Sequence, residues 1–176
     1  MANNDVIGKI LLTQDQIWQK AKEMGAQISA DYEGEELILI GTLKGAVMWM
    51  ADIMKNLCLD TQIDFISASS YGGGTTSSGN IKIKKDIELD ITDKNVLIIE
   101  DIIDTGNTLK YLRDYFLSQN PKSIKICTLL DKPSRRTADV KADYIGFTVD
   151  DLFIIGYGLD FDQRYRNLPY ISYLEN

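Results

Sequence analysis

The sequence predicts an α/β fold, a mainly parallel sheet flanked by helices on both faces. Three observations carry that prediction. Short unbroken apolar runs, NVLIIE at 95–100 the clearest, alternate with stretches of helical spacing, and strands buried on both faces read as continuous rather than alternating apolar runs. Turn signals follow the runs near Gly41, Glu100 and Leu130. With 176 residues, 44% hydrophobic and 26% charged, the chain suits one domain, 1–176, whose core buries about 70% of the unfolded surface.

Taken in order, Thr13 with Gln16 forms a capping-box pattern, and Ile17, Ala21, Met24 and Ile28 follow at helical spacing, so a helix should run to about Asp31. A short strand is expected at 37–40, a turn at 41–45, a helix at about 46–56 and a strand at 62–68. Residues 70–80 read SYGGGTTSSGN and hold no aliphatic anchor. Residues 81–84 alternate as an edge strand would. The apolar strand 95–100 leads through a turn into a helix at about 108–119. Further strands are expected at 123–130, 144–147 and 153–156.

Composition excludes several kinds of chemistry. There is no histidine, which removes histidine-dependent triads and histidine metal sites. Acid–base work must fall to Asp, Glu, Lys or Tyr, and any metal must accept oxygen ligands. The two cysteines, Cys58 in NLCLD and Cys127 in IKICTLL, sit in apolar stretches and read as buried free thiols. A net charge of −7 and a pI near 4.6 speak against a nucleic-acid partner. No apolar run approaches the roughly 20 residues needed to span a bilayer, and the first residues show no basic-then-apolar leader. A cytoplasmic protein, not associated with a membrane, is expected.

Residues 96–109, VLIIEDIIDTGNTL, are the most informative stretch. A buried strand ends in Glu100 and Asp101; two aliphatics follow, then Asp104-Thr105-Gly106-Asn107-Thr108 and a helix. Amides and hydroxyls at a helix start can cradle a phosphate, and Gly106 lets the backbone come close. The two acids would face a sugar or a hydrated magnesium ion. Taken alone, Asp104 and Thr105 could equally be helix caps and the acids a solvated turn. The whole ordered pattern is far more specific than its parts.

This stretch resembles the phosphoribosyl pyrophosphate (PRPP) binding motif of the type I phosphoribosyltransferases. The resemblance extends over about 38–167 and is strongest to their hypoxanthine-guanine branch. Leu43-Lys44-Gly45 is similar to that branch's pyrophosphate loop, and Ser70-Tyr71 to the opening of its mobile lid. Leu129-Leu130-Asp131-Lys132 resembles the strand end with its purine-reading lysine. Residues 153–160, FIIGYGLD, resemble its base-stacking and metal segment, and residues 165–168, YRNL, its arginine motif. The resemblance implies the type I fold with a small hood made by the chain ends.

It also implies roles. Asp104 would take the proton from purine N7. Leu43, Lys44, Gly45, Glu100, Asp101, Asp104, Thr105, Gly106, Asn107, Thr108 and Arg166 would bind PRPP and its phosphates; in this family the peptide before the lysine can be cis. Lys132 would donate to purine O6, Phe153 would stack on the base, Ile154 would offer its backbone carbonyl, and Asp160 would complete that side. Glu100, Asp101 and Asp160 would hold Mg2+. Ser70 and Tyr71 would belong to the lid that excludes water. By residue type alone, Lys132 reads as a surface lysine, Phe153 as a core aromatic and the Gly/Ser/Thr run as a loop.

The implied reaction converts PRPP and hypoxanthine or guanine to IMP or GMP and pyrophosphate, in a homodimer or homotetramer. Two alternatives stand beside it: a non-catalytic nucleotide sensor that binds RNA, and a PRPP enzyme for another base.

Overall fold

The computed structural model describes residues 7–70 and 81–175. Six strands form one sheet in the order β3-β2-β1-β4-β5-β6. They are β1 (Leu37–Thr42), β2 (Thr61–Ser70), β3 (Ile81–Lys85), β4 (Asn95–Ile103), β5 (Ser123–Asp131) and β6 (Tyr144–Thr148). All neighbours run parallel except β2 and β3. Three helices flank the sheet: α1 (Gln14–Asp31), α2 (Val47–Lys55) and α3 (Asn107–Leu117).

Alternation along the central strands divides the core in two. Leu37, Leu39, Leu97, Ile99, Cys127 and Leu129 pack toward α1 and α2. Ile38, Ile40, Val96, Ile98 and Ile126 pack on the opposite face with Leu109, Leu112 and Phe116 of α3. Helix α1 begins as its sequence directs: Thr13 caps the Gln16 amide, and the Gln16 side chain accepts from the Thr13 amide.

Three expectations need correction. The strand placed at 153–156 is not part of the main sheet. Its paired residues, β7 (Ile154–Ile155), run antiparallel to β8 (Ser172–Tyr173). With bridges Ile7–Leu174 and Leu12–Ile171, this pair forms the small hood of chain ends. A short apolar run does not announce its partner, and β8 is too brief to signal itself. Cys58 is exposed, whereas Cys127 is buried as expected; Cys58 lies in the connection after α2, outside any element that would cover it. Finally, β4 continues past the two acids to Ile103. Its pairing with β5 persists to Ile103–Asp131, but its pairing with β1 stops at Gly41–Ile99. Glu100 and Asp101 therefore stand where the neighbouring strand has turned away.

Candidate active site

Strands β1, β4 and β5 are adjacent, and the loops leaving their carboxyl ends make the site, as in open α/β sheets generally. The β1 loop supplies Leu43, Lys44 and Gly45, with the Leu43–Lys44 peptide cis. The loop after β4 supplies Asp104 to Gly106 and then α3. The loop after β5 supplies Lys132, whose backbone amide donates to the Ile103 carbonyl at 3.0 Å.

Two cavities open here. One, of about 230 Å³, is lined by Glu100, Asp104, Thr105, Gly106 and Thr108, with Ile102, Ile103 and Leu109 behind them. The second, of about 290 Å³, brings together Leu43, Lys44, Gly45, Glu100, Asp101, Thr108, Asp160 and Arg166. Glu100 and Thr108 line both. Most residues that the sequence singles out for PRPP thus converge from separate segments. Asn107, exposed at the start of α3, lines neither cavity, and nor do Lys132, Phe153 and Ile154.

In the first cavity, Gly106 precedes α3 with φ +83 and no side chain caps the helix. The N-cap residue is thus Gly106, not Asp104 or Thr105. Thr105 Oγ1 makes only a long contact with the Asn107 amide, 3.4 Å, and the Asp104 carboxylate turns toward Arg135 Nε at 3.1 Å. Thr105, Gly106 and Thr108 line the cavity at the start of the helix, where backbone amides can receive an anion. A Cβ on Gly106 would lie 2.7 Å from Val140 Cγ1, so a positive φ and close packing both require glycine.

The second cavity is strongly polar. Glu100 Oε1 accepts from Thr42 Oγ1 at 2.6 Å. Burial, and then the adjacent Asp101 carboxylate, push the Glu100 carboxyl well above the ordinary range. Asp101 Oδ1 accepts from the Ile102 amide at 2.8 Å. Asp160 is engaged by Arg166 at 2.7 Å and by the Gln163 amide at 2.8 Å. Arg166 also donates to the Gly158 carbonyl at 2.7 Å. Gln163 Oε1 accepts from Lys44 Nζ at 3.0 Å and from Arg166 at 3.2 Å, so one neutral oxygen sits between two cations.

On the far side of Asp104, Lys132 is buried, with Nζ 2.5 Å from the Leu152 carbonyl. Phe153 is 51% exposed, and its ring packs T-shaped with that of Phe161, with centroids 5.4 Å apart. Lys132 thus contacts the residue before Phe153, and a half-exposed aromatic face can offer a flat ring a stacking surface. Neither the solvated lysine nor the core phenylalanine of the residue-type reading is found. Ile154 is buried in β7. Ser70 ends β2, its backbone paired with Ile81; Tyr71 lies outside the described residues.

Several residues at the site were not singled out from the sequence. Arg136 donates to the carbonyls of Asp104, Ile103 and Val140 and pairs with Asp131, so it holds the backbone of the loop whose carboxylate Arg135 holds. The adjacent arginines just past a strand end were the available signal. Thr42 and Gln163 gave none, being common polar residues in loops.

Residues 8–162 match the phosphoribosyl transferase domain, and the chain belongs to that family. Hypoxanthine-guanine phosphoribosyltransferase of Bacillus subtilis (strain 168) is 50% identical over 169 residues, 96% of this chain and 94% of the relative. The protein of the same name from Streptococcus agalactiae serotype V is 49% identical over 175 residues, covering 99% and 97%. Among solved structures, a hypoxanthine-guanine phosphoribosyltransferase from Bacillus anthracis, with HEPES in its active site, superposes with a TM-score of 0.93 at 48% identity, covering 97% of this chain and 100% of that one. A hypoxanthine phosphoribosyltransferase from Staphylococcus aureus gives 0.93 at 47%, covering 96% and 92%.

Proposed function

We infer that this chain is a purine-salvage phosphoribosyltransferase, moving the 5-phosphoribosyl group of PRPP to N9 of hypoxanthine or guanine and releasing pyrophosphate with IMP or GMP. The observation that carries the reading is the meeting of Lys44, Asp160, Arg166 and the Glu100–Asp101 pair in one cavity beside the Asp104 loop. Identity near 50% to enzymes of that name over nearly the whole length supports it.

In this reading the helix-start amides from Thr105 to Thr108 grip the 5-phosphate, while Lys44 and Arg166 hold pyrophosphate, the guanidinium by its planar fork. Leu43, Gly45 and Asn107 shape the backbone around these anions. Glu100 and Asp101 hold the ribose hydroxyls. Lys132 donates to purine O6, Phe153 stacks on the ring, and the Ile154 carbonyl meets its edge. A 6-amino purine offers Lys132 no acceptor, so adenine is rejected. Asp104 takes the N7 proton as the bond to ribose forms. The sugar passes through an oxocarbenium-like state, stabilised by nearby carboxylates. Ser70 and Tyr71 belong to the lid that excludes water.

The oxygen donors of Asp101, Asp160 and Glu100 fit Mg2+. Mg2+ commonly keeps several waters and shares substrate phosphates, so one or two such carboxylates can suffice. When bound, Mg2+ would neutralise charge on the departing pyrophosphate. The chain works as one domain in a cytoplasmic homodimer or homotetramer; no helix among the described residues is long and apolar enough to cross a membrane.

The test is a spectrophotometric assay with PRPP, Mg2+ and each of hypoxanthine, guanine, xanthine and adenine in turn. Turnover of 6-oxopurines is expected. Turnover of adenine alone, or of no base, defeats the reading.

A further inference from the structure

Four charged side chains of alternating sign cross the purine side of the site. Arg135 Nε lies 3.1 Å from Asp104 Oδ1, and the same guanidinium lies 3.6 Å from Asp151 Oδ2. Asp151 Oδ1 lies 3.7 Å from Lys132 Nζ. The row joins three segments: the loop after β4, the turn after β5 and the 149–153 connection that delivers Phe153. Arg135 and Asp151 line neither cavity. Their side chains are 48% and 53% exposed, so as ion pairs they contribute little to stability.

Direction is what they supply. Arg135 presents its donors in a rigid plane, so contact with two acids on two loops fixes how those loops face each other. Asp104 also presses on the guanidinium strongly enough to raise the Arg135 pKa above its usual value. Asp151, held from one side by Arg135, faces the Lys132 ammonium from the other. A 6-oxopurine places O6 and N7 on one edge; the first needs a donor and the second an acceptor.

We propose that Arg135 and Asp151 are positioning residues that hold Asp104 and Lys132 at the separation the O6–N7 edge requires. The inference rests on the purine-transferase reading above. In the step it serves, the bond from ribose C1 to the pyrophosphate oxygen breaks, its electron pair leaving with pyrophosphate, and N9 bonds to C1. The N7–H bond breaks with its electron pair returning to the ring, and an O–H bond forms on Asp104. Arg135 then faces a neutral carboxyl but keeps Asp151 as its partner, so the guanidinium stays in place for the next turnover.

The experiment measures kcat, KM for each substrate and melting temperature for Arg135→Ala, Arg135→Lys, Asp151→Ala and the double alanine variant, all with hypoxanthine. Misplacement near 1 Å costs on the order of a hundredfold in rate, so Arg135→Ala should lose roughly ten- to a hundredfold in kcat. KM for PRPP and the melting temperature should stay near their wild-type values. Arg135→Lys should recover only part of the loss, and the double variant should be no worse than Arg135→Ala, because the two residues act as one unit. Wild-type kcat in either single variant, additive losses, or losses that follow a falling melting temperature or a rising KM for PRPP would overturn the proposal. Inactivity of the wild-type protein with every purine would instead defeat the reading beneath it.

Discussion

The Asp101 carboxylate fills the space a side chain at Gly45 would need: a Cβ placed on Gly45 would lie 1.5 Å from Asp101 Oδ2. The absence of a side chain on the β1 loop therefore lets a β4 carboxylate reach into the second cavity. Because the obstructing atom is the end of a flexible side chain, alanine at this position would turn the carboxylate aside and leave the backbone in place.

Gly45→Ala should accordingly raise KM for PRPP by roughly tenfold or more while changing melting temperature little. Steady-state kinetics beside a thermal melt reads both. Gly158→Ala should behave in the opposite way. Its φ is +100, and a Cβ there would meet the Gly45 carbonyl at 2.0 Å, so the backbone must move and the melting temperature should fall.

Asp64 makes a prediction about pH. Burial alone would raise its pKa, but the amides of Glu88, Leu89 and Phe65, with Lys85, outweigh that and leave it lowered. Its carboxylate contributes fully to stability above the ordinary carboxylate pKa of about 3.9. That contribution is lost as pH falls through the lower folded value. Asp64→Ala strands three amides and should cost about 1–3 kcal/mol near neutrality. Urea melts should show a smaller loss for the variant than for the wild type on acidification.

Lys132 is buried beside the Leu152 carbonyl. Removing a charge-assisted hydrogen bond to O6 costs about 1.5–3 kcal/mol, so Lys132→Ala should lower kcat/KM for hypoxanthine by roughly 10- to 100-fold. KM for PRPP should change far less. Base-by-base kinetics provides the check.

Chelation of divalent cations should abolish turnover, and Mg2+ should restore it. Asp160→Asn should raise the Mg2+ concentration needed, as a titration of initial rate would register.

Much of this architecture is legible in the residues. Runs such as NVLIIE are buried on both faces, and the Thr13–Gln16 box starts α1 where its spacing says. The motifs name residues from separate segments that meet around two adjoining cavities. The full length of β4 was not legible, because Glu100 and Asp101 look like a strand end; only the departure of β1 explains charged residues inside a paired strand. Nor could the sequence place β7 and β8, whose two-residue pairing depends on chain ends meeting. Asp151 and Gln163 were hidden for a related reason. Each meets a partner distant in the chain, and long-range ion pairs and hydrogen bonds leave no local spacing to read.

The decisive measurement compares Asp104→Asn with wild type in single-turnover rate and in PRPP dissociation constant. If Asp104 accepts the N7 proton, the rate should fall about 10²–10⁴-fold while PRPP binds nearly as before. Equal losses in both would mean that Asp104 merely shapes the phosphate loop, and the account of this site would be wrong.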